Sequence, residues 1–238
     1  MRGEPAFAAV LDCLNPGNRV WAERAGALCP LWNPPEVLRW NTHKGYLRDL
    51  EARGVAIVPT AWLARGSAPD LRALLAERGW TDAVVKPAVS AGARDTLRIR
   101  GPEDWPAVQA LVARVLPHKD LMVQPYLPSV EGPGERSLLF FGGTYTHTIR
   151  RRAALSGEPG YDSTQAERLP TSAEERAFAE GVLAATQREL LYARVDVARD
   201  EAGALRLMEL ELTEPNLFLP LGGPPAVEQL VDALVHKA

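Results

Sequence analysis

Two runs of alternating apolar and polar residues near the C-terminus constrain the fold most. Residues Tyr192 to Arg199 and Leu205 to Leu212 both show the period-two pattern of a half-buried strand, and a short polar turn separates them. They predict an antiparallel hairpin. Gly142-Gly143 lies between the strand-like runs 136–141 and 144–150 and predicts a second hairpin in the same half of the chain.

Helical patterns alternate with strands along the rest of the chain. Thr171 and Glu174 have the spacing of a capping box at the start of a long helix. The predicted helices cover residues 42–54, 67–79, 104–116, 171–191 and 225–236, and further strands cover residues 55–58, 83–87, 96–99 and 121–127. Helices mixed with two antiparallel hairpins favour an α+β fold over a doubly wound parallel sheet.

The C-terminal hairpin carries a concentration of carboxylates. Glu209 and Glu211 share one face of their strand, and with a two-residue turn at Glu201-Ala202, Asp196 lies opposite Leu207 and diagonal to Glu209. Oxygen ligands at this density suit Mg²⁺ shared with substrate phosphates. A solvent-facing strand pair is the alternative, and a loop with an odd number of residues would put the carboxylates on opposite faces and exclude the metal site.

Two lysines are candidates for binding a phosphate. Lys86 interrupts an apolar strand, and the loop Ala88 to Ala93 that follows has so little side-chain bulk that its backbone N–H groups can approach a phosphate. Lys44 lies at the start of a predicted helix, where a solvated surface position is the common alternative. Each signal is weak in isolation.

Composition excludes several classes of function. The formal net charge of −3 argues against a nucleic-acid-binding protein, and the basic run Arg150-Arg151-Arg152 lacks interleaved aromatic residues. No segment approaches the ~20 apolar residues of a membrane span. Glu4, Pro5 and Asp12 interrupt the region that is apolar in a signal peptide. We therefore expect a cytoplasmic protein that binds neither nucleic acid nor membranes.

Four segments occur in an order that resembles the ATP-grasp proteins, in the branch of glutathione synthetase, RimK-like ligases and the cycloserine-forming ligase. They span roughly Leu31 to Leu221 and read WNTHKGYLRDLEARGVAIVPT, VVKPAVSAGARDT, MVQPYLPSVEGPGERSLLFFGGTYTHTIRR, and ARVDV followed by LRLMELELTEPNLFL. The resemblance implies an ATP-grasp fold, in which two α+β subdomains grip ATP. It divides the chain into a remnant of a pre-ATP-grasp α/β domain (1–60), a small lid subdomain (61–127) and a C-terminal subdomain with the metal site (128–238).

The resemblance also implies a role for each candidate residue. Lys44 and Lys86 would contact the ATP phosphates, Glu135 would bind the ribose, and Arg150 would face the γ-phosphate or acyl phosphate. Asn216 would lie near the transferred group. The adenine hinge would be formed by Gln124, Pro125, Tyr126 and Leu127, and Mg²⁺ (with Mn²⁺ as an alternative) would be held by Asp196, Glu209 and Glu211.

The implied activity is an ATP- and Mg²⁺-dependent ligation of a small-molecule carboxylate to an amine or thiol, through an acyl phosphate and with release of ADP and phosphate. A homodimer is compatible with the resemblance. A non-catalytic ATP-binding regulatory protein and a kinase-like phosphoryl transfer are the alternatives.

Two departures from the family pattern bear on these expectations. Only ~30 residues precede the matching region, so we expect a shortened N-terminal domain. A true start codon upstream of Met1 is the alternative explanation. In addition, RRAALSGEPGY (151–161) replaces the glycine-bounded Asp-Phe-Arg segment of many relatives. The identity of the substrates is therefore left open.

Overall fold

The computed structural model describes residues 17–90, 92–151 and 166–236, and most of the departing segment 151–161 lies outside these ranges. The helices are α1 (Gly17–Leu28), α2 (Pro35–Thr42), α3 (Tyr46–Ala52), α4 (Leu71–Arg78), α5 (Trp105–Val115), α6 (Ala173–Thr186), α7 (Leu219–Gly222) and α8 (Pro224–Val235). The strands are β1 (Ala61–Leu63), β2 (Ala83–Pro87), β3 (Leu97–Ile99), β4 (Leu121–Pro125), β5 (Glu135–Phe141), β6 (Thr144–Arg151), β7 (Glu167–Leu169), β8 (Tyr192–Arg199) and β9 (Leu205–Glu211). Among these described helices, none is both long and apolar enough to cross a membrane.

The first of two antiparallel sheets, called the small sheet here, has four strands in the order β1-β4-β2-β3. Helices α4 and α5 cover one face, where Leu75 and Leu111 pack with Val85 and Val123 in a continuous apolar core. Gly79 ends α4 in the left-handed conformation that favours glycine at a helix C-terminus. All strands of this sheet lie within the range 61–127.

The second sheet, called the large sheet here, has five strands in the order β7-β6-β5-β8-β9. Its two predicted hairpins are confirmed. Gly142 and Gly143 join β5 to β6 with φ values of 57° and 79°, which are the positive values required by a two-residue hairpin turn. Helix α6 packs Ala179 and Val182 against one face of the sheet.

Helices α2 and α3 belong to the core of the large sheet. Leu47 and Leu50 are fully buried in the same apolar cluster as Phe140 of β5. The side chain of Asn41 bonds the backbone of β9, donating to the Leu210 carbonyl at 2.7 Å. The described part of residues 1–60 is therefore built into the large-sheet core from Val37 onward.

The C-terminal hairpin has a different register from the predicted one. Its loop contains the five residues 200–204, an odd number that would by itself move the carboxylates to opposite faces. Met208, however, is an extra residue in a β-bulge, because Val197 pairs with Leu207 whereas Asp196 pairs directly with Glu209. The bulge offsets the odd loop and returns Asp196 and Glu209 to one face. The predicted pairing of Asp196 with Leu207 was wrong.

The helix predicted over residues 42–54 is shorter and spans only Tyr46–Ala52, because Thr42 is the last residue of α2. Residues 43–45 leave the helical path between α2 and α3, where the Lys44 N–H donates to the Ala88 carbonyl at 2.8 Å. The strand predicted over 55–58 is reduced to a single parallel bridge between Ile57 and Leu207. Both differences arise because tertiary hydrogen bonds to other segments replace the local pattern.

The capping box of α6 is one residue later than predicted. The Ser172 hydroxyl accepts from the Glu175 N–H at 3.1 Å, and the Glu175 carboxylate accepts from the Ser172 N–H at 2.8 Å. Thr171 is instead hydrogen-bonded to the Tyr145 hydroxyl. Of the two neighbouring hydroxyl residues, Ser172 caps the helix and Thr171 bonds to β6.

We expect Leu47→Ala to lower the free energy of unfolding by about 2–5 kcal/mol, because it opens a cavity in the large-sheet core. Urea denaturation followed by circular dichroism measures this. Val231→Ala, at a half-exposed position on α8, is the matched control and should change stability by less than about 0.5 kcal/mol. A comparably small effect of Leu47→Ala would contradict a shared core.

Candidate active site

A cavity of about 370 Å³ opens where the two sheets meet. The small sheet contributes β2 and the end of β4, and the large sheet contributes β5, β6, β8 and β9. The polar and charged residues in its lining are Asn41, Thr42, Lys44, Lys86, Ser90, Thr96, Gln124, Glu135, Arg151, Arg194, Glu209, Glu211, Thr213 and Glu214. Most of the sequence-predicted site residues are brought together here.

The four predicted hinge residues all line this cavity: Gln124, Pro125, Tyr126 and Leu127. Strand β4 ends at Pro125, so its ladder with β2 stops where the chain crosses to the large sheet. The buried Gln124 amide donates to the Thr60 hydroxyl at 2.9 Å, and the Tyr126 N–H donates to the Asp82 carbonyl at 2.9 Å. These bonds hold the segment rigidly against the small sheet.

The two predicted lysines point into the cavity from different segments. Lys44 is buried, and its Nζ lies 2.9 Å from Glu209 Oε1 and 3.1 Å from the Ser90 carbonyl oxygen. Burial lowers the pKa of Lys86, an effect that the nearby Glu209 partly opposes. Within the described ranges no hydrogen bond or ion pair to the Lys86 ammonium is found, so this cation is available to an anion that enters the cavity.

Asp196 lies behind the cavity wall with no exposed surface. Arg194 Nε and Nη2 approach its two oxygens at 2.9 and 2.8 Å, and Arg151 Nη2 lies 2.6 Å from Oδ2. Burial raises the pKa of the Asp196 carboxyl, but the guanidinium groups of Arg151 and Arg194 outweigh it and hold the pKa at about 2. Asp196 is therefore ionised and fixes both arginines.

The same arginines reach a second carboxylate each. Arg151 also pairs with Glu135, and Arg194 also pairs with Glu211. Burial raises the pKa of Glu211 to about 8, against the lowering effect of Arg194. Burial likewise raises the pKa of Glu135. The cavity wall thus contains an alternating array of acids and arginines.

The three predicted metal ligands do not form one cluster. Across residues 17–90, 92–151 and 166–236, no three Asp, Glu, His or Cys side chains are grouped so as to hold a metal ion. Glu209 and Glu211 line the cavity, whereas Asp196 is enclosed by its arginines. Two carboxylates still fit Mg²⁺, which commonly takes one or two protein carboxylates together with substrate phosphates and water.

Two predicted catalytic residues lie away from the cavity lining. Arg150 pairs with the partly exposed Glu167 at 2.7 Å, on the opposite face of β6 from Arg151. Asn216 is exposed, and its side-chain oxygen accepts from the Phe218 N–H at 2.9 Å. Its carbonyl oxygen lies 3.5 Å from Arg194 Nη1. Arg151 lines the cavity, whereas Arg150 does not.

Sequence reasoning missed Arg151 and Arg194. Arg194 lies two residues before Asp196 on β8, so strand alternation already puts both on one face. Arg151 was part of a run of three arginines, and only the pairing of β6 with β5, which aligns Arg151 with Glu135, selects it. The first signal was present in the sequence, whereas the second required the strand register.

We expect Arg151→Leu to destabilise the protein by about 3–5 kcal/mol, because it leaves Glu135 unpaired and removes one of two cations from the buried Asp196. Arg150→Leu is the matched control and should cost less than about 1 kcal/mol, since its ion pair is largely solvated. Thermal unfolding of both variants measures the difference. Equal effects would argue against the assignment of the two arginines to opposite faces of β6.

Comparison with known proteins places the chain among characterised relatives, although no family model matches it. It is 35% identical over 214 residues to the cycloserine biosynthesis protein DcsG of Streptomyces lavendulae, covering 84% of this chain and 71% of that protein. The crystal structure of D-cycloserine synthetase DcsG superposes with a TM-score of 0.83 at 31% identity, over 92% of this chain and 77% of DcsG.

More distant structures share the fold. The ATP-grasp ligase PsnB, complexed with minimal precursor, Mg and ADP, gives a TM-score of 0.59 at 17% identity, over 85% of this chain and 62% of PsnB. D-alanine–D-alanine ligase from Bacillus anthracis gives 0.62 at 16% identity, over 82% and 66% of the two chains. The α+β fold predicted from sequence is confirmed as the ATP-grasp fold. Together with the similarity to DcsG, this shows that the chain belongs to the ATP-grasp ligases.

Proposed function

We propose that this chain uses ATP and Mg²⁺ to convert a substrate carboxylate into an acyl phosphate, from which an amine displaces phosphate. Membership in the ATP-grasp ligases makes it an enzyme that forms C–N bonds. The single observation that carries the proposal is the cavity between the sheets. There, Lys44 and Lys86 converge with Glu209 and Glu211 beside the hinge 124–127.

ATP fits this cavity with its adenine at the hinge and its phosphates toward Lys44 and Lys86. Lys86 approaches the cavity from β2 of the small sheet and Lys44 approaches it from the α2–α3 turn, so they can contact the polyphosphate from two sides. Glu135, at the start of β5, is the proposed ribose contact. Glu135 also pairs with Arg151. We therefore propose that its carboxylate contacts the ribose and Arg151 at the same time.

Glu209 and Glu211 are the proposed Mg²⁺ ligands, with Mn²⁺ as a substitute ion. They are adjacent on one face of β9 and line the cavity. When bound, Mg²⁺ neutralises charge on the phosphates and holds them for transfer. We assign Asp196 a different role from the one expected for it, namely to hold Arg151 and Arg194 in place.

Arg151 and Arg194 are the proposed cations that face the transferred phosphoryl group or the substrate carboxylate. A planar guanidinium can bond two oxygens at once, as both carboxylates and phosphates require. Both side chains are held by Asp196, so they need little reorganisation when charge develops in the transition state. Asn216, whose carbonyl lies near Arg194, is proposed to lie at the rim where the acceptor enters.

The similarity to D-cycloserine synthetase supports a small-molecule substrate, whereas the PsnB structures contain precursor peptides. Product analysis separates the alternatives after incubation with ATP and candidate carboxylates. A ligase forms an amide or related bond, a kinase forms a phosphoester, and a regulatory ATP-binding protein forms no product.

The proposed use of ATP as a substrate is in keeping with a cytoplasmic location.

We expect Mg²⁺ with a non-hydrolysable ATP analogue to stabilise the protein. Ligand at ~100 times its dissociation constant adds about 2.7 kcal/mol, or roughly 5–10 °C in Tm for a chain of this size. Thermal unfolding measures the shift, which should require Mg²⁺. Glu209→Gln should lose the Mg²⁺ requirement and most of the shift. A full shift in Glu209→Gln would remove Glu209 from the metal site.

We also expect metal–nucleotide binding to release about one proton at pH 7. Glu211 has a pKa of about 8 in the free protein, so at pH 7 it is mostly protonated, and it must ionise to ligate a cation. Titration calorimetry in buffers of different ionisation enthalpy counts the released protons. The release should vanish at pH 9, where Glu211 is already ionised, and in Glu211→Gln. Equal release in wild type and Glu211→Gln would contradict this role.

A further inference from the structure

The turn between α2 and α3, residues 43–45, joins the two halves of the cavity. Lys44 lies between two helices that pack into the large-sheet core, and its N–H donates to the Ala88 carbonyl at 2.8 Å while its ammonium donates to the Ser90 carbonyl at 3.1 Å. Ala88 directly follows β2 of the small sheet. One lysine therefore connects the large sheet to the loop that follows β2.

Asp120 lies behind this connection, immediately before β4. Its backbone carbonyl accepts from the Ala88 N–H at 2.9 Å, and its Oδ1 accepts from the Arg65 N–H at 2.7 Å. Its other carboxylate oxygen, Oδ2, lies 3.1 Å from Nε2 of His43. Asp120 thus fixes the start of the loop after β2 and, through His43, the residue that precedes Lys44.

The hydrogen bonds determine the orientation of the His43 ring. The Gly45 N–H donates to His43 Nδ1 at 2.9 Å, so in the neutral ring the proton is on Nε2 and points to Asp120. A Cβ atom at position 45 would lie 2.8 Å from His43 Nδ1. Glycine at this position therefore leaves the room that this ring orientation needs.

We propose that His43 and Asp120, with Gly45, are positioning residues that set the location of Lys44 relative to the loop after β2, and thereby the fit of the cavity to nucleotide phosphates. Neither His43 nor Asp120 lines the cavity, so their effect is transmitted through Lys44. This inference rests on the proposed function, in which Lys44 contacts the phosphates of ATP.

A positional role predicts an effect on affinity without an effect on stability. The side chains of His43 and Asp120 are 35% and 40% exposed, and a pair that is this exposed contributes little to the free energy of unfolding. Loss of the pair leaves Lys44 bonded to Ala88 and Glu209 but frees the turn that carries it. We therefore expect a less well positioned Lys44 and weaker binding of the nucleotide phosphates.

Titration calorimetry with Mg²⁺ and a non-hydrolysable ATP analogue tests the inference on the full chain. His43→Ala should weaken binding by about threefold to tenfold, the effect of one lost hydrogen bond of ordinary strength. His43→Gln should restore most of the affinity, because its amide nitrogen can donate to Asp120. Glu180→Gln, which breaks a comparably exposed ion pair with Arg176 on α6, is the matched control and should bind as wild type.

A double-mutant cycle shows whether His43 acts through Lys44. In a Lys44→Ala background, His43→Ala should have no further effect on affinity, and its Tm should match that of Lys44→Ala alone. Independent, additive losses would overturn the inference, as would a His43→Ala variant that binds as wild type or that loses affinity only together with a fall in Tm. Failure of the wild-type protein to bind the analogue would instead overturn the proposed function.

Discussion

The ion pairs of the buried Asp196 carboxylate with Arg151 and Arg194 organise the charged groups of the site. An ionised carboxylate with no exposed surface costs several kcal/mol unless cations and hydrogen bonds compensate it. Arg151 and Arg194 supply both, and each of them reaches on to a further acid, Glu135 or Glu211. These groups come from β5, β6, β8 and β9, so one chain of charges crosses four neighbouring strands of the large sheet.

The other charged groups of the cavity come from two parts of the fold. Lys86 lies on β2 of the small sheet. Glu209 lies on β9 of the large sheet, and Lys44 lies in the α2–α3 turn beside it. The arginines are already satisfied by protein carboxylates, while Lys86 has no hydrogen-bond or ion-pair partner among the described residues. A polyphosphate that enters between the sheets meets fixed arginines on one side and an uncommitted lysine on the other. Such an arrangement suits phosphoryl transfer, in which the protein contributes mainly position and electrostatics.

Much of the fold was accessible from sequence because alternation and turn chemistry are local. The Gly142-Gly143 hairpin, the strand around Lys86 and the helix that ends at Gly79 follow from such rules. The resemblance to ATP-grasp proteins added the order of the motifs, and most of the candidate residues indeed line one cavity.

The differences from the sequence-based expectations have one physical origin, which is that register and hydrogen bonding between distant segments cannot be read from local pattern. The bulge at Met208 changed the pairing of Asp196 from Leu207 to Glu209. Strand pairing selected Arg151 over Arg150. Arg151 comes from β6 and Arg194 from β8, so the enclosure of Asp196 by these two arginines became visible only in three dimensions.

A crystal structure of the protein with Mn²⁺ and a non-hydrolysable ATP analogue would show where the metal and the nucleotide bind, with the metal located by anomalous scattering. We expect an anomalous peak about 2.1 Å from carboxylate oxygens of Glu209 and Glu211. We also expect phosphate oxygens against Lys44 and Lys86 and adenine at residues 124–127. A metal bound by Asp196 with its arginines displaced, or a nucleotide outside the cavity between the sheets, would contradict the proposed site.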